Sequence, residues 1–213
     1  MSGDVWSERA QLYVDSEAHR QGEDLDLLVE WARGARTALD VATGGGHVAR
    51  RLREAGIEVV TSDSARGMGP DVIAPADDLP FADDSFDVVT CRVAAHHFAD
   101  VAAAVAEMAR VAREQVLVVD NLFLSEEAEQ AERLRDPSHV RNYTEAEWRG
   151  FFSGAGLRIE DLRRFDKPIA FEPWLERTGC VDDEAARVRE LLADRIDADG
   201  FLHLDRVALQ GRG

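Results

Sequence analysis

The segment TALDVATGGGHVARRL, residues 37 to 52, constrains the chain more than any other. An apolar run reaches an acid, Asp40; Gly44 to Gly46 follow, and then a stretch with helical spacing. Glycine admits positive φ and close backbone approach, and a helix start carries unsatisfied N–H groups. The segment reads as a strand, a tight turn and a helix N-terminus, the unit from which layered α/β folds hold nucleotide-like groups.

The rest of the chain continues the alternation. Apolar spacing predicts a helix over 25–32, with Leu27, Leu28 and Trp31 on one side, and strands over 36–42, 57–63, 71–75, 86–94 and 115–121. The 86–94 run is apolar nearly throughout, as a strand covered on both faces should be. Helices are predicted over 46–56 and 100–113, the second capped by Asp100. A charged helix over 125–136 follows, then one over 144–156 with a Thr144–Glu147 capping box and an apolar face of Trp148, Phe151 and Phe152. A strand over 157–165, a helical stretch over 172–197 and a last strand over 201–211 complete the reading. This predicts an α/β fold with a doubly wound, mostly parallel sheet and an antiparallel edge. One connection is unusual. Between the second and third strands too few residues remain for a helix, whereas a parallel crossover normally takes about a dozen or more. A minimal loop there leaves one sheet face partly uncovered.

At 213 residues and 45 % hydrophobic content, the chain fits a single domain over 1–213, with 1–35 as a helical cover and 166–200 as a helical insertion before the last strand. No run approaches the ~20 apolar residues of a membrane span. Two cysteines, Cys91 and Cys180, fit a reducing cytoplasm better than a disulfide framework. The net charge of −17 repels phosphate backbones and anionic lipid, which argues against nucleic-acid and membrane partners. The histidines show no metal-ligand spacing, so no metal is expected.

Ligands of such sheets sit at the carboxyl ends of the strands. Those ends carry Asp40, Asp63, the 75–78 turn, Arg92 to His97, and Asp120 with Asn121. Two cofactors compete for the glycine turn. Gly44-x-Gly46-x-x-Ala49, with Asp63 about 20 residues on, fits a dinucleotide. Asp40-x-Ala42-x-Gly44-x-Gly46 fits S-adenosylmethionine (SAM), whose ammonium and sulfonium suit an acid where a pyrophosphate would be repelled. No Tyr-x-x-x-Lys pair of an NAD(P)-dependent oxidoreductase is present, since Lys167 is the sole lysine and no tyrosine lies four residues before it.

Taken with PADDLPFADDSFDVVTCRVAAHHF (75–98), HVRNYTEAEWRGFFSGAGL (139–157) and SEAHRQGEDLDLL near the start, the glycine turn resembles the class I SAM-dependent methyltransferases. The resemblance is to the branch like the ubiquinone/menaquinone-biosynthesis (UbiE-type) enzymes. Within it, AAHHF, RDPSHVR and the final Leu204–Gly211 segment resemble a bacterial group with little characterisation. The resemblance implies a seven-stranded sheet and methyl transfer from SAM, leaving S-adenosylhomocysteine (SAH), to oxygen or carbon of a small molecule. It implies backbone at Ala42, Gly44 and Gly46 near the methionine part, Asp40 facing the ammonium, and Asp63, beside Ser64, on the ribose hydroxyls. Met68 would pack on the adenine, with Ala76, Asp77 and Asp78 at its edge. Arg92 and Val93 would line the cofactor, and Tyr13 and His19 would cover it. His97 is the candidate base at the mouth of the crevice, with a neutral, loop-holding histidine as the alternative. Trp174 is read either as a roof over the site or as plain packing. A non-catalytic SAM- or SAH-binding module and a homodimer stay open as alternatives.

Overall fold

The computed structural model describes residues 20–213; Tyr13, His19 and the rest of 1–19 lie outside the described residues. Elements are numbered from the first one described. Helix α1 (Glu23–Trp31) leads into β1 (Thr37–Val41), α2 (His47–Glu54), β2 (Glu58–Asp63), β3 (Val72–Ile73) and β4 (Phe86–Arg92). Then come α3 (Val101–Val111), β5 (Ala112–Asn121), α4 (Glu126–Arg135) and α5 (Glu145–Gly154). The chain continues through β6 (Arg158–Ala170), α6 (Phe171–Glu176), α7 (Asp182–Leu191) and β7 (Phe201–Arg212). The seven strands form one sheet in the order β3-β2-β1-β4-β5-β7-β6. β3, β2, β1, β4 and β5 pair in parallel, and β7 runs antiparallel to both β5 and β6.

Each local signal has a physical counterpart. Every residue of β4 is buried, as its continuous apolar pattern requires. The Asp100 carboxylate accepts from Ala103 N at 3.0 Å to cap α3, and Thr144 and Glu147 form the capping box of α5. Trp148 and Phe152 are fully buried against one sheet face, beside Met108 and Val118. Leu25, Leu28 and Leu52 cover the other face over Val88 and Leu117. A third apolar cluster joins Ala131 of α4, Trp174, Leu175, Val188 and the far ends of β6 and β7.

Two expectations need correction. The sixth strand runs on to Ala170, so the helical insertion begins at Phe171 rather than 166. Its Pro168 is tolerated because β6 is an edge strand. The fifth strand begins at Ala112, directly after α3, because the backbone turns extended there without a loop. The short β2–β3 connection is filled by a single 3-10 turn, Arg66–Met68. The edge it leaves shows: Ile73 of β3 is 46 % exposed.

Candidate active site

The carboxyl end of β1 does not simply stop. Ala42 holds φ at 52° and Gly44 at 51°, so the chain turns through left-handed conformations before α2 begins. Ala42 takes a conformation that glycine adopts without strain. α2 has no side-chain cap of its own on Gly46. Asp40 supplies one from the preceding strand: its Oδ2 accepts from Ala49 N at 3.3 Å and from Thr43 Oγ1 at 2.6 Å. Thr90 Oγ1 donates to its Oδ1 at 2.9 Å. A carboxylate thus sits at the helix N-terminus, 2 % exposed. Burial outweighs these bonds and raises its pKa to about 6.

At the end of β2, Asp63 ties the same turn from the side. Its two oxygens accept from Gly44 N at 3.0 Å and Ala65 N at 2.9 Å. Burial raises its pKa, and these backbone bonds pull the other way. The Ser64 N–H also hydrogen-bonds the carboxylate, which still leaves acceptor capacity for a ligand hydroxyl.

Between these groups lies a cavity of about 160 Å³, lined by Asp40, Ala42 to Gly45, His47, Val48, Asp63, Ser64, Met68, Arg92 to Ala94, His97, Phe98 and Ser138. The structure brings together Asp40, Ala42, Gly44, Asp63, Ser64, Met68, Arg92, Val93 and His97 there. Gly46 is not on the wall; it is the left-handed cap position of α2. Ala76, Asp77 and Asp78 also fall outside the lining, with Asp77 and Asp78 exposed in a turn and Ala76 packed toward the core. The Arg92 guanidinium turns away to Asp24 Oδ2, at 2.9 Å, so backbone and stem rather than charge face the cavity. A trough at the opposite sheet end is lined by Arg110 and Arg113, which pair with Asp83, Glu107 and Asp87; the carboxyl-end cavity is the one with converging groups.

The turn after β4 is built on histidines. His96 and His97 lie with ring centroids 4.1 Å apart and planes tilted by 48°, in a 3-10 turn after β4. Asp120, at the end of β5, meets His96 Nδ1 at 2.6 Å and accepts from His96 N at 3.1 Å. Burial opposes the imidazolium, but the Asp120 charge and hydrogen bond prevail and raise the His96 pKa; Asp120 is lowered in turn, against its own burial. Burial, and then the charge of His96, push His97 far below the ordinary histidine range. His97 Nδ1 lies 3.1 Å from the Ser138 carbonyl and 3.3 Å from Ser138 Oγ. Ser138 Oγ donates to Asp136 Oδ1 at 2.6 Å, so both Ser138 oxygens accept at Nδ1. Nδ1 therefore carries the proton, and Nε2 is the lone-pair nitrogen.

Ser138 was absent from the residues singled out in the sequence, although it lies within the RDPSHVR motif; only the fold carries that motif to His97. Trp174 is both packing and wall. It is 4 % exposed, stacks on Phe171, and lines a smaller chamber beside the main one.

An acid-capped glycine turn, a second buried acid at the end of the neighbouring strand and this strand order define the class I SAM-dependent methyltransferase architecture. The comparisons agree. Residues 39–119 match the family model for a methyltransferase domain. The uncharacterised methyltransferase YcgJ of Bacillus subtilis is 35 % identical over 207 residues, covering 86 % of this chain and 82 % of that protein. A crystal structure of YcgJ superimposes with a TM-score of 0.79 at 30 % identity, covering 89 % of this chain and 97 % of that one. A demethylmenaquinone methyltransferase from Beutenbergia cavernae is 37 % identical over 92 residues, 38 % of either chain. The chain belongs to the class I SAM-dependent methyltransferases, in the UbiE-like branch, and SAM is its cofactor. The buried acids fit that group, because the turn offers negative charge to a cation and hydrogen-bond acceptors to a ribose. No helix among the described residues is long and apolar enough to cross a membrane, and no metal-holding group of histidine, cysteine and acids occurs among them.

Proposed function

We propose that the protein transfers the methyl group of SAM to an oxygen or carbon of a small-molecule acceptor. The observation that carries this is the negative charge built into the glycine turn. Asp40 occupies the N-terminus of α2, where a dinucleotide would place its pyrophosphate; a cationic amino-acid moiety is favoured there and a phosphate is repelled. When bound, SAM supplies a methyl already activated by a sulfonium, so the protein has to position, desolvate and at most accept a weak hydrogen bond.

In this reading Asp63 accepts from the two ribose hydroxyls, and Met68 packs on the adenine over the shortened connection. His97 stays neutral at physiological pH, and Nε2 accepts a hydrogen bond from the nucleophilic group of the acceptor. It is too weak a base to hold the proton once transferred, so its contribution is orientation and the first displacement of the proton. Phe98, Val93 and Ala94 keep water from the transfer path.

Titration calorimetry with SAM, SAH and NAD(P)H tests the cofactor assignment. Micromolar binding of SAM and SAH is expected, none of NAD(P)H, and a loss of about 100-fold in Asp63→Ala, which removes two charge-assisted hydrogen bonds. Binding of NAD(P)H alone would overturn it. A survey of hydroxylated and enolisable acceptors with methyl-labelled SAM then reads the atom methylated.

A further inference from the structure

A second, smaller chamber opens on the far side of Val93 and His97, which line both spaces. We infer that it receives an anionic group of the methyl acceptor, a carboxylate or a phosphate. This rests on the methyl-transfer reading above and names the class of molecule that reading leaves open.

The chain carries a net charge of −17, yet the chamber wall holds Arg135, Arg177 and Arg206 against one acid, Glu132. The guanidiniums come from α4, from the residue after α6, and from β7, so the fold gathers them rather than the sequence. Arg206, 3 % exposed, donates from Nη1 to Asp24 Oδ2 at 3.0 Å and from Nε to Asn121 Oδ1 at 3.2 Å. Arg92 reaches the same Asp24 oxygen at 2.9 Å, and one carboxylate does not neutralise two guanidiniums. Because an arginine Nε can only donate, Asn121 must turn its oxygen toward Arg206, which leaves its amide NH2 as a further donor. Arg135 is held by Glu132 at 3.2 Å and lies over Trp174, with Cζ 4.1 Å from the ring centroid. Such side chains are fixed before a ligand arrives, so an anion meets donors without paying to order them. The chamber is about 40 Å³, room for a few waters or one carboxylate or phosphate, but not for a whole metabolite. The rest of the acceptor must extend past His97 toward the methyl group. The arginines thereby set both the class of the acceptor and its direction.

The test titrates full-length protein with benzoate, phenyl phosphate and benzamide, with and without saturating SAH, and repeats the series in Arg177→Gln. Arg177 is half-buried, and unchanged SAH affinity in Arg177→Gln reports that the fold is intact. Saturable binding of benzoate or phenyl phosphate is expected, with benzamide at least about tenfold weaker. Whichever anion binds tighter identifies carboxylate or phosphate as the natural group. Arg177→Gln should weaken the anion about tenfold and leave SAH affinity unchanged. Equal binding of benzamide and benzoate, no saturation by either anion, or indifference to Arg177→Gln overturns the inference. Failure of SAH itself to bind falls on the methyl-transfer reading instead, since the anion titrations without SAH still report on the chamber.

Discussion

The two chambers share Val93 and His97 but differ in how far along the chain their ties reach. The cofactor cavity takes much of its polar geometry from residues close in sequence, with Gly44 to Asp63 across 19 positions and Thr90 to Asp40 across 50 as the longer ties. Asp40 bonds to Thr43 and Ala49, and Asp63 to Ala65, all within nine positions. The acceptor chamber is held by contacts that span the chain: Arg206 to Asp24 across 182 positions, Arg206 to Asn121 across 85, and Arg135 to the Trp174 carbonyl across 39. A turn that must meet one invariant cofactor can be encoded locally. A pocket for a particular acceptor is assembled from the second half of the chain, and a few substitutions there can redirect it without disturbing the turn.

Trp174→Ala is the strongest test of that separation. The ring is buried in the C-terminal cluster, between Phe171 at 5.7 Å and the Arg135 guanidinium at 4.1 Å. Deleting it should lower unfolding stability by about 3 kcal/mol or more, read by urea denaturation. It should also abolish anion binding in the smaller chamber, while SAH affinity stays within about twofold. If SAH affinity falls in step with anion affinity, the two chambers are one cooperative unit and the comparison breaks.

The same contrast explains what could be read in advance. Strand β1, the turn and α2 announce themselves, because a continuous apolar run, glycine φ demands and capping are local effects. Asp40 and Asp63 were legible for that reason, and the minimal β2–β3 connection followed from counting residues. The extension of β6 to Ala170 was not legible, because DKPIA shows no apolar alternation of its own; it is strand because β7 pairs with it up to Phe201. In the sequence Arg135 and Arg206 are only members of the RDPSHVR and Leu204–Gly211 segments, and Arg177 carries no signal of its own. Only the packing of α4, α6 and β7 brings them together. The fold leaves the Asp77 and Asp78 side chains exposed and off the cavity wall.

A smaller effect follows from Asp40. Its folded-state pKa is raised to about 6 from an ordinary carboxyl value of 3.8. Between those values the folded state holds a proton that the unfolded state has released, so this group's contribution to stability declines as pH rises from about 4 to about 6. The full difference is on the order of 3 kcal/mol as an upper bound. Carboxylates with lowered values, such as Asp24 and Asp87, act in the opposite sense. The informative quantity is therefore the stability of the protein minus that of Asp40→Asn, which should fall across this window. SAM affinity should run the other way, rising by about tenfold from pH 5 to 7 as the carboxylate ionises opposite the cofactor's ammonium, and flattening in Asp40→Asn. A pH-independent SAM affinity would show that Asp40 only caps α2 and does not sense the cofactor.

The smallest effect is expected at the residue common to both chambers. Val93 holds φ at 55°, a conformation that β-branched side chains rarely adopt. Its N–H is pinned to the Val119 carbonyl at 2.7 Å, so the backbone cannot relax. Such strain is on the order of 1–3 kcal/mol and is retained only when the surroundings impose it. Val93→Gly relieves the strain but frees the unfolded chain and removes a partly buried side chain, so stability should move by less than about 1 kcal/mol. Its functional consequence should be larger than its structural one. With the wall between the chambers thinned, anion and SAH binding should each weaken only a few-fold, but water should reach the transfer path and the methylation rate should fall further than either affinity. Equal losses in rate and affinity would mean that Val93 shapes the two pockets without guarding the passage between them.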